Sequence, residues 1–314
     1  KIIMKKLTYM VSAIAAAVGF STAANADISV SGSADFAYVD AGGNTTSMNG
    51  GGVSFSLSTT TDAGVTISAG AGISNDNDSN GDDSTATGLT KLTFGFANGT
   101  LAVGDDIGIA DGVGKVGELV SWADTNTTTI TYEGSVGDDE GSGISGSTTV
   151  GDMTLSGVYF WDGLAAGDVD GAAKTGSSVK LAMPLGAMSL TLAASQAEDG
   201  SSTMNDQGVS VTYAVGGGTL GLGFNATDGD VAIDEAESIG VTYSTTVGGA
   251  SVAIGYQSHD GSNKNAATTD VTVSSSLGGG ASIWAEMRSV SGERSTETAD
   301  TSDTVVAIGT SVSF

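Results

Sequence analysis

Residues 208–257 read GVSVTYAVGGGTLGLGFNATDGDVAIDEAESIGVTYSTTVGGASVAIGYQ, and the alternation in this stretch decides the fold. Val209, Val211 and Tyr213 take every second place, with Ser210 and Thr212 between them. Leu220, Leu222 and Phe224 alternate with Gly221, Gly223 and Asn225; Ile239, Val241 and Tyr243 alternate with Gly240, Thr242 and Ser244. A period of two is the period of a β-strand, so each run has one apolar face and one small, polar face. The connections between the runs are of two kinds. Val215–Gly218 and Val247–Ala250 are tight glycine turns, whereas Thr227–Glu237 is long and acidic.

The same code extends over most of the chain. Further short turns fall at Thr61–Gly64, Asn98–Gly99, Val150–Asp152, Pro184–Gly186 and Leu277–Gly280. Long connections fall at Asp40–Gly50, Asn75–Thr87, Asp105–Asn126, Trp161–Gly176, Ala197–Asp206, His259–Ala267 and Ser291–Ser302. Seven turns on one side and eight loops on the other require sixteen strands. Strands with short turns at one end and long loops at the other, apolar outside and polar inside, describe a transmembrane β-barrel around a wet lumen. A water-soluble sandwich also alternates, but it needs an inner face able to build a dense core, and these polar faces are small. Thr127–Glu133 and Ile144–Val150 both read as strands. Counting both gives seventeen, so one of them belongs to a loop or the two form one interrupted strand.

Composition narrows the class. Lys1, Lys5 and Lys6 precede an apolar run from Leu7 to Phe20 and the A-x-A site Ala24-Asn25-Ala26, the layout of a cleaved export signal over residues 1–26, which leaves 27–314 as one barrel domain. From Asp27 on, each of sixteen strands has about 18 residues with its share of connection, enough for the 9 to 11 that cross a bilayer at a tilt. The formal charge of −26 excludes nucleic acid as a partner. With no Cys there is no disulfide, and closure of the sheet must protect its edges instead. Catalysis finds no support: His259, the single histidine, sits in a polar loop, and no nucleophile elbow, zinc-helix or P-loop pattern is present.

Parity of the strands aims Lys91, Lys180, Glu286 and Arg288 into the lumen, and Trp284 with them. Asp76-Asn77-Asp78-Ser79-Asn80-Gly81 matches the opening of a calcium loop, but Thr87 stands where the bidentate Glu would close it. The stretch therefore reads first as a solvated acidic loop, with weak calcium binding by Asp76, Asp78 and Asn80 as the only metal expectation; no cofactor is required. Gly32, Ala34, Ala69 and Ala71 keep the outward face of the first and third strands small, which suits close approach of a second barrel wall.

The opening ADISVSGSADF, the hairpin KLTFGFANGTLAVGD, the strand TITYEG and the ending DTVVAIGTSVSF together resemble the sixteen-stranded trimeric general diffusion porins of the Gram-negative outer membrane. The resemblance implies an all-β, antiparallel barrel set in outer-membrane lipid, a homotrimer, and passive diffusion of small hydrophilic solutes. It also implies a third loop folded into the bore, carrying Asp105, Asp106, Asp111, Glu118 and Asp124 against Lys115. Phe314 would be the signal that the barrel-assembly machinery reads. The family's facing cluster of arginines is reduced here, which predicts a cation-selective pore. A sugar-type selective channel and a secreted calcium-binding adhesin are the alternatives; the adhesin would need a fixed short Gly/Asp repeat that this chain lacks.

Overall fold

The computed structural model describes residues 26–41, 44–78, 81–87, 89–108, 140–163, 174–199, 202–230, 236–261, 264–292 and 301–314. Every regular element among them is a strand. In chain order these are β1 (Ala26–Ala41), β2 (Asn44–Thr60), β3 (Thr66–Asp78), β4 (Gly81–Thr87), β5 (Lys91–Phe96), β6 (Gly99–Gly108), β7 (Glu140–Val150), β8 (Met153–Gly163) and β9 (Lys174–Leu185). There follow β10 (Met188–Asp199), β11 (Ser202–Val215), β12 (Gly218–Gly229), β13 (Ala236–Val247), β14 (Ala250–Gly261), β15 (Lys264–Gly278), β16 (Ala281–Gly292) and β17 (Thr301–Ser313).

Strands adjacent in sequence pair antiparallel, β4 and β5 excepted, and β1 pairs with β17 from Ser33–Ser313 to Ala41–Val305. That last ladder closes the sheet into a barrel. β4 and β5 both lie against β3, with Thr87 opposite Gly72 and Leu92 opposite Ala69, so the two segments share one place in the wall. Seventeen segments thus make sixteen barrel strands. The sixth of these is Glu140–Val150, paired with β6 and β8; Thr127–Glu133 lies outside the described residues.

The tight turns stand where the glycines place them. Gly216 and Gly217 have φ of 60° and 79°, the positive values that both central residues of a type I′ hairpin turn require. Apart from the third, the connections read as long are shorter than expected, because the strands continue into them. Asp76 and Asn77 pair with Asp83 and Asp82, and Asp40 pairs with Thr45. Asp and Asn disfavour strands in isolation, but at a hairpin end each residue added to the ladder satisfies its backbone groups against a neighbour already extended.

Side chains sort by face as the alternation requires. Leu222, Phe224, Ile239, Val241, Ile254 and Tyr256 are exposed on the outer face, while Gly221, Gly223, Asn225, Ser238, Gly240 and Gln257 are buried on the inner one. A continuous exposed apolar band around a closed sheet is the inverse of a water-soluble protein and fits contact with hydrocarbon.

Candidate channel lumen

The inner wall carries an ion cluster on β15 and β16. Asp270 stands opposite Arg288 in the ladder, and Arg288 Nε donates to Asp270 Oδ2 at 3.1 Å and to Oδ1 at 3.2 Å. Glu286, two residues from Arg288 on the same face, brings Oε1 to 3.8 Å from Nη2. Asp270 is 0 % exposed, Glu286 2 % and Arg288 5 %. The cluster exists because a strand pair places alternate residues of both strands on one side, and its net formal charge is negative: two carboxylates hold one guanidinium. Farther round the wall, Asp206 on β11 accepts hydrogen bonds from Asn225 Nδ2 at 2.7 Å and Thr227 Oγ1 at 3.3 Å, both from β12.

Of the four charges that parity aims inward, Glu286 and Arg288 are buried on β16, Lys180 is half-buried on β9 and Lys91 is exposed on β5. Trp284 keeps the same parity and is 8 % exposed; its indole lies across Gly309 of β17, where an added Cβ would come within 2.3 Å of Cζ2. Beside it, Ala37, Val39, Val305 and Ala307 form a buried apolar cluster on the inner face of the closing strands. A uniformly polar lumen therefore does not hold. The run Val305-Val306-Ala307-Ile308 signals this, because four consecutive apolar residues place apolar groups on both faces at once.

The acids assigned to the third loop divide. Asp105 and Asp106 belong to β6, where the register shifts between Gly104 and Ile107. Gly104 has φ of 153°, and a Cβ there would sit 2.2 Å from the Thr90 carbonyl oxygen, so only glycine fits this bulge. Asp105 donates its backbone N–H to that carbonyl at 2.9 Å, and its exposed carboxylate accepts a hydrogen bond from Ser142 Oγ. Ser142 pairs with Trp161, which shares a face with Tyr159, exposed on the outer side, so the Asp105 carboxylate lies at the membrane-side rim instead of in the bore. Asp111, Lys115, Glu118 and Asp124 lie outside the described residues, as does Asn80; Asp76 and Asp78 sit in the β3 ladder.

Phe314 closes the seam from outside. Its backbone exchanges hydrogen bonds with Gly32, N to O at 3.0 Å and O from N at 2.9 Å, and its ring lies where a Gly32 side chain would be. The surface at Gly32 is therefore covered by the chain itself.

A closed sixteen-stranded barrel with an apolar outer band and a charged inner wall defines an outer-membrane channel protein. The chain matches the Gram-negative porins over residues 13–304 and belongs to that family, which places it in the bacterial outer membrane. Among solved structures it is similar to OmpT of Vibrio cholerae in its trimer form, at 12% identity and a TM-score of 0.70, covering 92% of this chain and 99% of that one. It is also similar to a mutant of the Rh. blastica porin, at 15% identity and a TM-score of 0.65 over 92% and 100% of the two chains. Salmonella typhi OmpF, solved in complex with daunomycin, aligns at 12% identity and a TM-score of 0.67 over 91% and 97%. No curated protein sequence matches. At these identities the likeness is one of fold.

Proposed function

We propose that this porin is a passive diffusion channel with a preference for cations, that it carries out no catalysis, and that it assembles as a homotrimer through β1 to β3. The carrying observation is the state of Arg288: the inward arginine is held by Asp270 and outnumbered by Asp270 and Glu286, so it offers little positive potential to a passing anion. Lys91 and Lys180 remain on the wall, against inward acids that include Asp35 and Asp206. A passage bounded by low-dielectric walls focuses the sign in excess, concentrating cations and repelling anions. Interior Ser, Thr and Gly replace a hydration shell poorly, so solutes cross with their water. A reversal potential measured across planar bilayers under a KCl gradient tests the reading. The expected sign is that of a cation-selective pore; an anion-selective sign would mean that Lys91 and Lys180 control the potential, and would overturn it. For the assembly, Ala34, Ala69 and Ala71 leave room on the outer wall, and the trimeric form of the similar Vibrio cholerae protein supports the same number of copies.

A further inference from the structure

Phe314 exposes 75 % of its surface, more than any other large apolar side chain among the described residues. Its ring stands on the outer face over Gly32 of β1, and the two backbone hydrogen bonds to Gly32 hold it there as a knob on the wall. A recess of matching kind lies on β3. Ala69 and Ala71 are successive outward residues of that strand, half-buried between Ile67 and Ile73, and Ala69 has Leu57 and Leu92 as its ladder partners on either side.

The ladder rows put knob and recess at one depth in the membrane. The row through Ala281, at the short turn that begins β16, passes Val312, Ala34 and Gly51 and reaches Asn75, nine residues beyond Thr66 at the short-turn end of β3. A row thus climbs by about two residues per strand in this direction, the stagger that strand tilt imposes. The row through Gly32 reaches Ile73 two strands on, so the depth of Gly32 corresponds on β3 to about four residues lower, at Ala69. Their angular separation is equally informative. Sixteen strands divide the wall into steps of about 22°, and β3 lies two steps from β1 and three from β17, roughly 45° to 67°. Copies in a closed ring of three each make two contacts whose directions differ by about 60°; a ring of four needs about 90°, and a two-fold pair uses one patch twice.

We propose that Phe314 is the knob of a head-to-tail contact between copies: its ring seats on Ala69 and Ala71 of the next barrel, and the contacts close at three. This rests on the assembly through β1 to β3 proposed above and adds which surfaces meet. Hydrocarbon covers apolar walls as well as another wall does, so the gain comes from close packing of a large side chain against small ones. Phe314 reaches Gly32 only when the β1–β17 ladder has formed, so only a closed barrel presents the knob.

The chain has no cysteine, so introduced thiols report the contact directly. Within one copy, positions 314 and 71 are three strands apart, roughly 14 Å, too far for an internal disulfide. The double variant Phe314→Cys/Ala71→Cys should therefore give crosslinked dimers and trimers in the outer membrane, and neither single variant should give any. Native mass spectrometry in mild detergent supplies a second measure that leaves the seam intact. Ala71→Leu, which fills the recess, should raise the concentration at which the trimer half-dissociates about tenfold, the factor for about 1.4 kcal/mol of lost packing. No crosslink in the double variant, a crosslink through Phe314→Cys alone, or a trimer as stable with Ala71→Leu as without it would overturn the proposal and leave the trimer itself standing. Recovery of the native chain only as monomer would overturn both.

Discussion

Removing the Asp270 carboxylate should destabilise the barrel more than any exposed charge change, and the geometry sets the size of the effect. Two unit charges about 4 Å apart attract by about 4 kcal/mol at an effective dielectric constant near 20. Breaking a buried pair by deleting one partner costs about 3 to 5 kcal/mol, because the remaining charge stays desolvated. Glu286 remains 3.8 Å from Arg288 after the change and takes over part of the compensation, so the lower end applies. Asp270→Ala should therefore lower the unfolding free energy by about 3 kcal/mol. Arg288→Met added to it removes the orphaned cation and should restore most of that loss. Urea unfolding of the barrel in lipid vesicles, followed by tryptophan fluorescence, measures all four corners of the cycle. If Asp270→Ala costs less than about 0.5 kcal/mol, or the two changes simply add, the pair is solvated and the assignment of a buried lumen cluster fails. The same variants bear on transport, since Arg288→Met alone takes the cluster from one net negative charge to two and should strengthen cation preference in the reversal potential.

At the seam, Gly309→Val forces a side chain against Trp284 and the Phe36 carbonyl oxygen, 2.6 Å from the new Cβ, and should cost about 1 to 3 kcal/mol by overpacking. Gly72→Ala, which meets only ordinary contacts at 3.5 Å or more, is the control and should change unfolding little. Deleting Phe314 removes two backbone hydrogen bonds to Gly32 and the ring that covers it; the yield of assembled barrel in outer-membrane fractions should fall while single-channel conductance of assembled barrels stays the same. Cysteines placed at Ala34 and Ala71 should crosslink copies of the barrel up to trimers in mild detergent, and recovery of monomer alone would reject assembly through β1 to β3.

The strands were legible because alternation is a one-dimensional signal: Leu220-Gly221-Leu222-Gly223-Phe224 states both its period and its two faces. The turns were legible because positive φ at Gly216 and Gly217 leaves few other residues that fit. Strand ends were not, since Asp76, Asn77, Asp82 and Asp83 have the composition of a loop, and what extends them is the ladder each finds in the other. Asp105 was misplaced for the same reason: an Asp-Asp pair after a Gly reads as the start of a loop, but Gly104 makes a bulge and β6 continues to Gly108. Asp270 is not singled out by its sequence context. Parity shows that it faces inward, but which residue stands opposite is a matter of register between β15 and β16, and register depends on turn geometry that sequence spacing alone does not supply.

Pairing of β1 with β17 has a consequence for biogenesis. The two strands that complete the cylinder come from opposite ends of the described chain, so their ladder forms only after every intervening hairpin is available. Hairpins are local and form early; the seam has the largest loop-closure entropy of any contact in the molecule. Until it forms, β1 and β17 each present a row of unsatisfied backbone donors and acceptors, the template on which chains pair with one another wrongly. The nascent protein is thus most vulnerable to aggregation at the moment when nearly all of its structure is already in place, and a helper that holds those two edges apart from other chains would have more effect than one that assists any individual hairpin.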